Sequence, residues 1–311
     1  MSTVYIGSIE GDGLTVADAD AATGALTPLG VVDAREPSWL EFSADRRTLY
    51  AVVEEAEGAV TELDVSDPRA PVVRRVTPTG QAGPTHLCVH GDHLAVAHYT
   101  DGTVTLHDLA TGERVDALRH DADEPHAHQV VSRGEWLVAV DLGADAVFTH
   151  RVEGGRLVQH ARCDLPRGTG PRHVDFDGDR AYLLGEYVPG VTRLDFRDGR
   201  FTPVGHALVT APGAPETFPA EVVVADNQVY TSNRGENVIA RSSLGGELLQ
   251  SAPTGGDWPR HCAIDPTGRW VYVANQRSHE VTWLPRDAAS GALGEPAGRV
   301  TVRGACVVVF A

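Results

Sequence analysis

Gly170-Pro171-Arg172-His173-Val174 is one copy of a phrase that the chain repeats, with substitutions, along its length. The other copies are Pro37-Ser38-Trp39-Leu40, Gly83-Pro84-Thr85-His86-Leu87, Pro125-His126-Ala127-His128-Gln129-Val130, Pro219-Ala220-Glu221-Val222, Trp258-Pro259-Arg260-His261-Cys262 and, more faintly, Gly304-Ala305-Cys306-Val307. Each places a polar residue just after a Pro or Gly and then runs into a buried strand. Successive copies start roughly 40 to 48 residues apart, the length of one four-stranded propeller blade. Seven copies in 311 residues predict an all-β, seven-bladed β-propeller, and we read residues 1–311 as one domain.

Working outward from the phrase, each copy continues into a second strand after a tight turn. Asp265-Pro266-Thr267-Gly268 supplies turn geometry, and Trp270-Val271-Tyr272-Val273-Ala274-Asn275 then alternates as a half-buried strand does. Third strands follow, as in Gly102-Thr103-Val104-Thr105-Leu106-His107 and Glu280-Val281-Thr282-Trp283-Leu284. The last copy, Ala305 to Phe310, has no room for the rest of a blade. The missing strands stand at the other end, in Val4 to Ile9 and Leu14 to Ala17, so the two ends are expected to share the seventh blade. Closure of that kind removes an exposed sheet edge.

In a radial array the first strand of every blade lines the central channel. His86, His126, His128, Arg172, His173, Glu221, Arg260 and His261 therefore converge on one place although they are far apart in the chain. A further ring, Glu54, His98, Asp141, Glu186, Asn233 and Asn275, ends the second strand of six blades. Such oxygen and nitrogen groups could hold Ca²⁺ or Zn²⁺. No compact ligand motif accompanies them, so neither a metal nor a cofactor is expected.

Composition narrows the function. A net charge of -17 argues against nucleic acid, which needs a basic surface. There is no Lys among the 26 basic side chains, which excludes Schiff-base chemistry and a P-loop lysine. The four cysteines show no C-x-x-C spacing and read as buried thiols in a reducing compartment. No apolar run is long enough to span a bilayer, and the expected location is the cytoplasm. A closed ring carrying this much negative charge is expected to be a monomer.

The phrases Pro125-His126-Ala127-His128 with Val140-Asp141-Leu142-Gly143-Ala144-Asp145, Gly170-Pro171-Arg172-His173, Ser232-Asn233-Arg234-Gly235, and Pro259-Arg260-His261 with Val273-Ala274-Asn275-Gln276 resemble the seven-bladed lactonase family. That family includes 6-phosphogluconolactonase-type proteins and the carboxy-cis,cis-muconate lactonising enzyme. The resemblance implies a metal-independent site built from a histidine, a glutamate and two arginines. By motif position these are His126 or His128, Arg172, Glu186, and Arg234 with Arg260 as the other candidate. His86, His173, Glu221, Arg260, His261, Asn275 and Gln276 are the expected substrate contacts.

Lactone opening needs a base for water, charge where the oxyanion forms and an acid for the leaving oxygen. Histidine and glutamate transfer protons, and arginine holds carboxylate or phosphate in bidentate fashion. The expected activity is therefore hydrolysis of a small anionic lactone of the 6-phosphogluconolactone kind. Two other readings accompany it: a cycloisomerase or cyclase closing a lactone from an unsaturated acid, or a specialised biosynthetic variant of the same site, and a non-catalytic propeller scaffold; the expected partner is a small anionic lactone, sugar acid or muconate-like acid. Each candidate also has a plainer role. His86 and His261 could be structural donors, Arg172 and Arg260 inter-blade ion pairs, and Glu186 and Arg234 a salt bridge to each other.

Overall fold

A computed structural model describes all residues, Met1–Ala311, and contains strands and turns but no helix. The strands form seven four-stranded antiparallel sheets. Blades 1 to 6 take residues 40–78, 84–119, 127–164, 171–208, 218–253 and 259–301 in order. In the seventh, the C-terminal strand Ala305–Phe310 is innermost and pairs with Ser2–Ser8, which pairs in turn with Leu14–Ala19 and then Leu26–Val32. The expected shared blade is present. Its outer strand, Leu26–Val32, is one that the sequence pattern did not single out.

Alternation explains where each strand lies. Second strands such as Trp136–Asp141 are buried on both faces, whereas outer strands such as Val72–Pro78 alternate between exposed and half-buried residues. The apolar side chains form seven clusters, each between two neighbouring blades: Leu40, Leu49 and Cys306 join blades 7 and 1, and Val138, Val174 and Leu183 join blades 3 and 4. Polar links reinforce them. Gln129 Oε1 accepts the Val174 amide at 2.7 Å, and Asp175 Oδ2 accepts the Val224 amide at 2.7 Å.

One irregularity positions the site. In blades 2 to 6 the inner strand carries a bulge at its start, so the ladder skips a residue: Pro84 then His86, Ala127 then Gln129, Pro171 then His173, Pro219 then Glu221, Pro259 then His261. A bulge lets two consecutive side chains face one side. Arg172 and His173 thus both enter the channel, as do Arg260 and His261.

Candidate active site

The ladders sort the channel residues into levels. One level holds Thr85, His128, Arg172, Ala220 and Arg260, the residues skipped by the bulges; the next holds His86, Gln129, His173, Glu221 and His261. His128, not His126, occupies the place equivalent to Arg172. A third level follows the second strands, with Glu54 and Glu186 one residue beyond Thr48–Val53 and Arg180–Gly185.

At the mouth, Glu186 is shared by two arginines. Its Oε2 lies 3.2 Å from Arg172 Nε and 2.8 Å from Arg234 Nη2. Arg172 is buried and also donates to the Ala220 carbonyl of blade 5. Burial, with Arg234 and Arg260 close by, pushes its pKa down to about 9, so it remains charged at neutral pH. Arg234 Nε donates to the Phe218 carbonyl at 2.9 Å, and burial lowers its pKa as well. Arg260 reaches across the ring to Glu54 at 3.7 Å. The side chains of Glu186, Arg260 and Glu54 are 17%, 18% and 24% exposed, so this is the open end of the cluster. The salt-bridge alternative for Glu186 and Arg234 is thus what the geometry contains, placed where a solute can reach it.

Beneath lies a floor of imidazoles. Glu221 brings both carboxylate oxygens to His173 Nδ1, at 3.0 and 3.1 Å, and Oε2 stands 3.6 Å from His261 Nε2. His86 stacks on Trp39 with ring centroids 4.0 Å apart, and His128 meets His173 edge to face at 5.1 Å. Burial, followed by neighbouring cations and imidazoles, holds His86, His128 and His173 well below the usual histidine value, and holds His261 down at about 4. These rings are neutral at pH 7. Burial raises Glu221, while His261 and Arg172 oppose the rise.

The remaining candidates spread out. His126 precedes its strand, donates from Nδ1 to the Tyr99 carbonyl at 2.6 Å and stacks on the Tyr99 ring at 4.6 Å. The Asn275 amide donates to Thr282 Oγ1 at 2.9 Å inside its own blade. Gln276 follows it, half-buried, with its backbone amide bonded to the Trp258 carbonyl at 3.0 Å. The ring of six residues that end second strands splits in the same way. His98 bonds Thr105, Asp141 accepts from His120 and the His126 amide, and the Asn233 side-chain amide donates to the Val209 carbonyl. Only Glu54 and Glu186 of that ring meet the arginines, and no group of three His, Cys, Asp or Glu side chains is disposed to hold a metal ion.

Sequence reasoning missed the aromatics at this end, Trp39, Tyr99 and Trp258. Trp258 had a signal. It fills the position before the Pro, where Gly83 and Gly170 have φ near +58° and +59°, and it adopts φ +65° itself. A bulky residue in left-handed backbone is strained. Its ring carries Arg277 at 3.3 Å and Arg234 at 5.3 Å. At Gly170 a Cβ would come within 2.6 Å of Tyr187 Cδ2, which explains glycine there.

Residues 3–310 match the family model of the seven-bladed β-propeller lactonases, and the chain belongs to that family. By class it is a lactone hydrolase. Among solved structures it is similar to the periplasmic gluconolactonase of Pseudomonas aeruginosa, with a TM-score of 0.93 and 28% identity over 99% of this chain and 98% of that one. A protein from Lactobacillus plantarum superposes with a TM-score of 0.91 at 27% identity, covering 100% and 99% of the two chains. The 6-phosphogluconolactonase of Bacillus subtilis is 26% identical over 292 residues, 83% of this chain and 82% of that protein.

Proposed function

We propose that this protein opens a small anionic lactone, of the 6-phosphogluconolactone kind, by general acid/base catalysis with arginines holding the negative groups. The observation that carries the reading is Glu186 Oε2 held between Arg172 and Arg234 at the accessible end of the channel. Two guanidiniums that clamp an internal carboxylate present the donor pattern that a substrate carboxylate, phosphate or oxyanion requires. Arg260, on the neighbouring blade 6, adds a third fixed charge. His128 shares the level of Arg172, and with Glu186 it forms the proton-transferring pair. His86, His173, Glu221 and His261 line the space behind them, and Trp258 borders Arg234.

The same reading takes residues 1–311 as one domain acting as a monomer in the cytoplasm. It is supported by the seven clusters that each tie two blades and by four free cysteines, three of them buried. Fractionation of the native host checks the compartment, since the Pseudomonas aeruginosa relative is named periplasmic.

The test is turnover of 6-phosphogluconolactone and a panel of unphosphorylated lactones, corrected for spontaneous hydrolysis, beside Glu186→Gln and Arg172→Ala. Turnover abolished in both variants is the expected result. Absence of turnover on every lactone by the unaltered protein would shift the assignment to lactone closure by a cyclase or cycloisomerase.

A further inference from the structure

Buried polar atoms in proteins are nearly always paired with protein or with ordered water. The channel floor departs from this in one spot. His86, only 3% exposed, makes no well-formed hydrogen bond from either ring nitrogen to a protein group, its nearest polar neighbour being the Leu87 backbone, and Nδ1 of His128, 5% exposed, makes none either. Both rings pack against His173, His86 at 5.5 Å and His128 at 5.1 Å between centroids.

The tautomer of His173 follows from its partner. Glu221 is a carboxylate acceptor whose Oε1 also takes the Val222 amide at 3.0 Å, so the proton on His173 sits on Nδ1. Its Nε2 then carries a lone pair. His261 braces the same carboxylate: its Nδ1 accepts the Val308 amide at 3.4 Å, leaving the proton on Nε2 facing Glu221. Among the channel imidazoles on these two levels, only His173 has a carboxylate hydrogen-bonded to one nitrogen and also packs its ring against both His86 and His128. A base oriented by a third group is the recurring pattern for activating a weak nucleophile.

We propose that the floor formed by His86, His128 and His173 binds the attacking water, and that His173, oriented by Glu221, accepts that water's proton. This rests on the lactonase reading above and assigns the group that starts its reaction. As the water oxygen bonds to the lactone carbonyl carbon, its proton passes to His173 Nε2 and the carbonyl π pair moves onto the oxygen facing the arginines. Collapse of the tetrahedral intermediate breaks the ring C–O bond. The leaving oxygen takes one proton, relayed from His173 through His128 and Glu186, and His173 returns to its neutral form. The product is the hydroxy acid, and one water has been added. Glu221 acts through His173 and is a positioning residue. The groups facing His173 are Arg172, Arg234 and Arg260 from the mouth side, His86, His128, His261 and Glu221 on the floor, and the edge of Trp39.

Two measurements test this. On 6-phosphogluconolactone and its unphosphorylated counterpart, Glu221→Gln is expected to lower kcat about 100-fold, with KM changed less than about twofold. The acidic limb of its pH profile is displaced, and Glu221→Asp recovers part of the rate. The second measurement uses the unaltered protein: a high-resolution crystal structure shows an ordered water bonded to nitrogens of His86, His128 or His173, and ¹⁵N NMR shows His173 protonated on Nδ1. A folded Glu221→Gln with undiminished kcat and an unmoved acidic limb would overturn the assignment of His173, and a dry floor would overturn the water site. A floor that holds the water in a protein that opens no lactone would count against the lactonase reading while leaving the water site in place.

Discussion

The inner strands of blades 4 and 7 occupy the same place in the ring and carry opposite cargoes. Pro171–Asp177 puts Arg172 and His173 into the channel; Ala305–Phe310 puts Cys306 and Val307 at the corresponding positions. Blade 4 thereby contributes a buried cation, held by Glu186 and a blade 5 carbonyl, and a buried imidazole held by Glu221. Blade 7 contributes a thiol 3.7 Å from the Ser38 carbonyl and apolar contacts to blades 6 and 1. The fold supplies equivalent positions, and residue type decides whether a position serves chemistry or closure.

The sharpest way to break this comparison is to remove the closing strand. Deleting residues 302–311 takes away all of Ala305–Phe310 and bares Ser2–Ser8, and calorimetry is expected to show no cooperative transition. A retained sharp melt would mean that closure is not what blade 7 supplies. Arg172→Ala should do the reverse, leaving the ring folded while kcat/KM falls by about 100-fold or more, as for loss of an oxyanion donor. An unchanged kcat/KM would remove the mouth from the mechanism.

Acid should discriminate next. His86, His128 and His173 are held well below the usual value by burial, His98 and His261 are held at about 4, and His150 at about 3. The unfolded chain takes up protons near pH 6.5 that the folded chain refuses. Stability is therefore full above about pH 6.5 and falls as the pH drops toward 4, by about 1.4 kcal/mol per pH unit for each such histidine. Glu41, pushed up to about 7 by burial, opposes this, since its contribution is full below 4.5 and is lost as the pH rises through 7. Urea midpoints between pH 4 and 7 measure the sum, and a flat profile would contradict the neutral floor. The smallest effect belongs to blade 7: Cys306→Ser keeps a donor toward Ser38 and should change stability by about 1 kcal/mol or less, with no change in kcat.

How much of this was legible follows from the same physics. The blade count was written as a seven-fold phrase, and the shared seventh blade followed from a copy with no room to finish. The convergence of His86, His173, Glu221 and His261 followed from inner-strand position. The bulge was not legible. Simple alternation sends Arg172 and His173 to opposite faces and treats His126 and His128 as equals, whereas the skipped residue turns Arg172 and His173 inward together and leaves His126 outside its strand, on Tyr99. Residues that end a second strand looked like one ring, yet Glu54 and Glu186 stand one residue further on than His98, Asp141 and Asn275. Trp39 and Trp258 went unread because aromatics in strand-rich sequence are ordinarily core.

The order of strands in the seventh blade also sets a timetable for synthesis. Ser2–Ser8, Leu14–Ala19 and Leu26–Val32 are made before the other strands of the ring, and the strand that completes their sheet is made after all of them. While the six intervening blades are being made, the inner edge of Ser2–Ser8 has no ladder partner, and a nascent chain carries that open edge throughout elongation. Ring formation therefore waits until the strand Ala305–Phe310 has been made. The catalytic levels, which need blades 3 to 6 held at fixed spacing around one axis, come into being only when Ala305–Phe310 docks beside Ser2–Ser8.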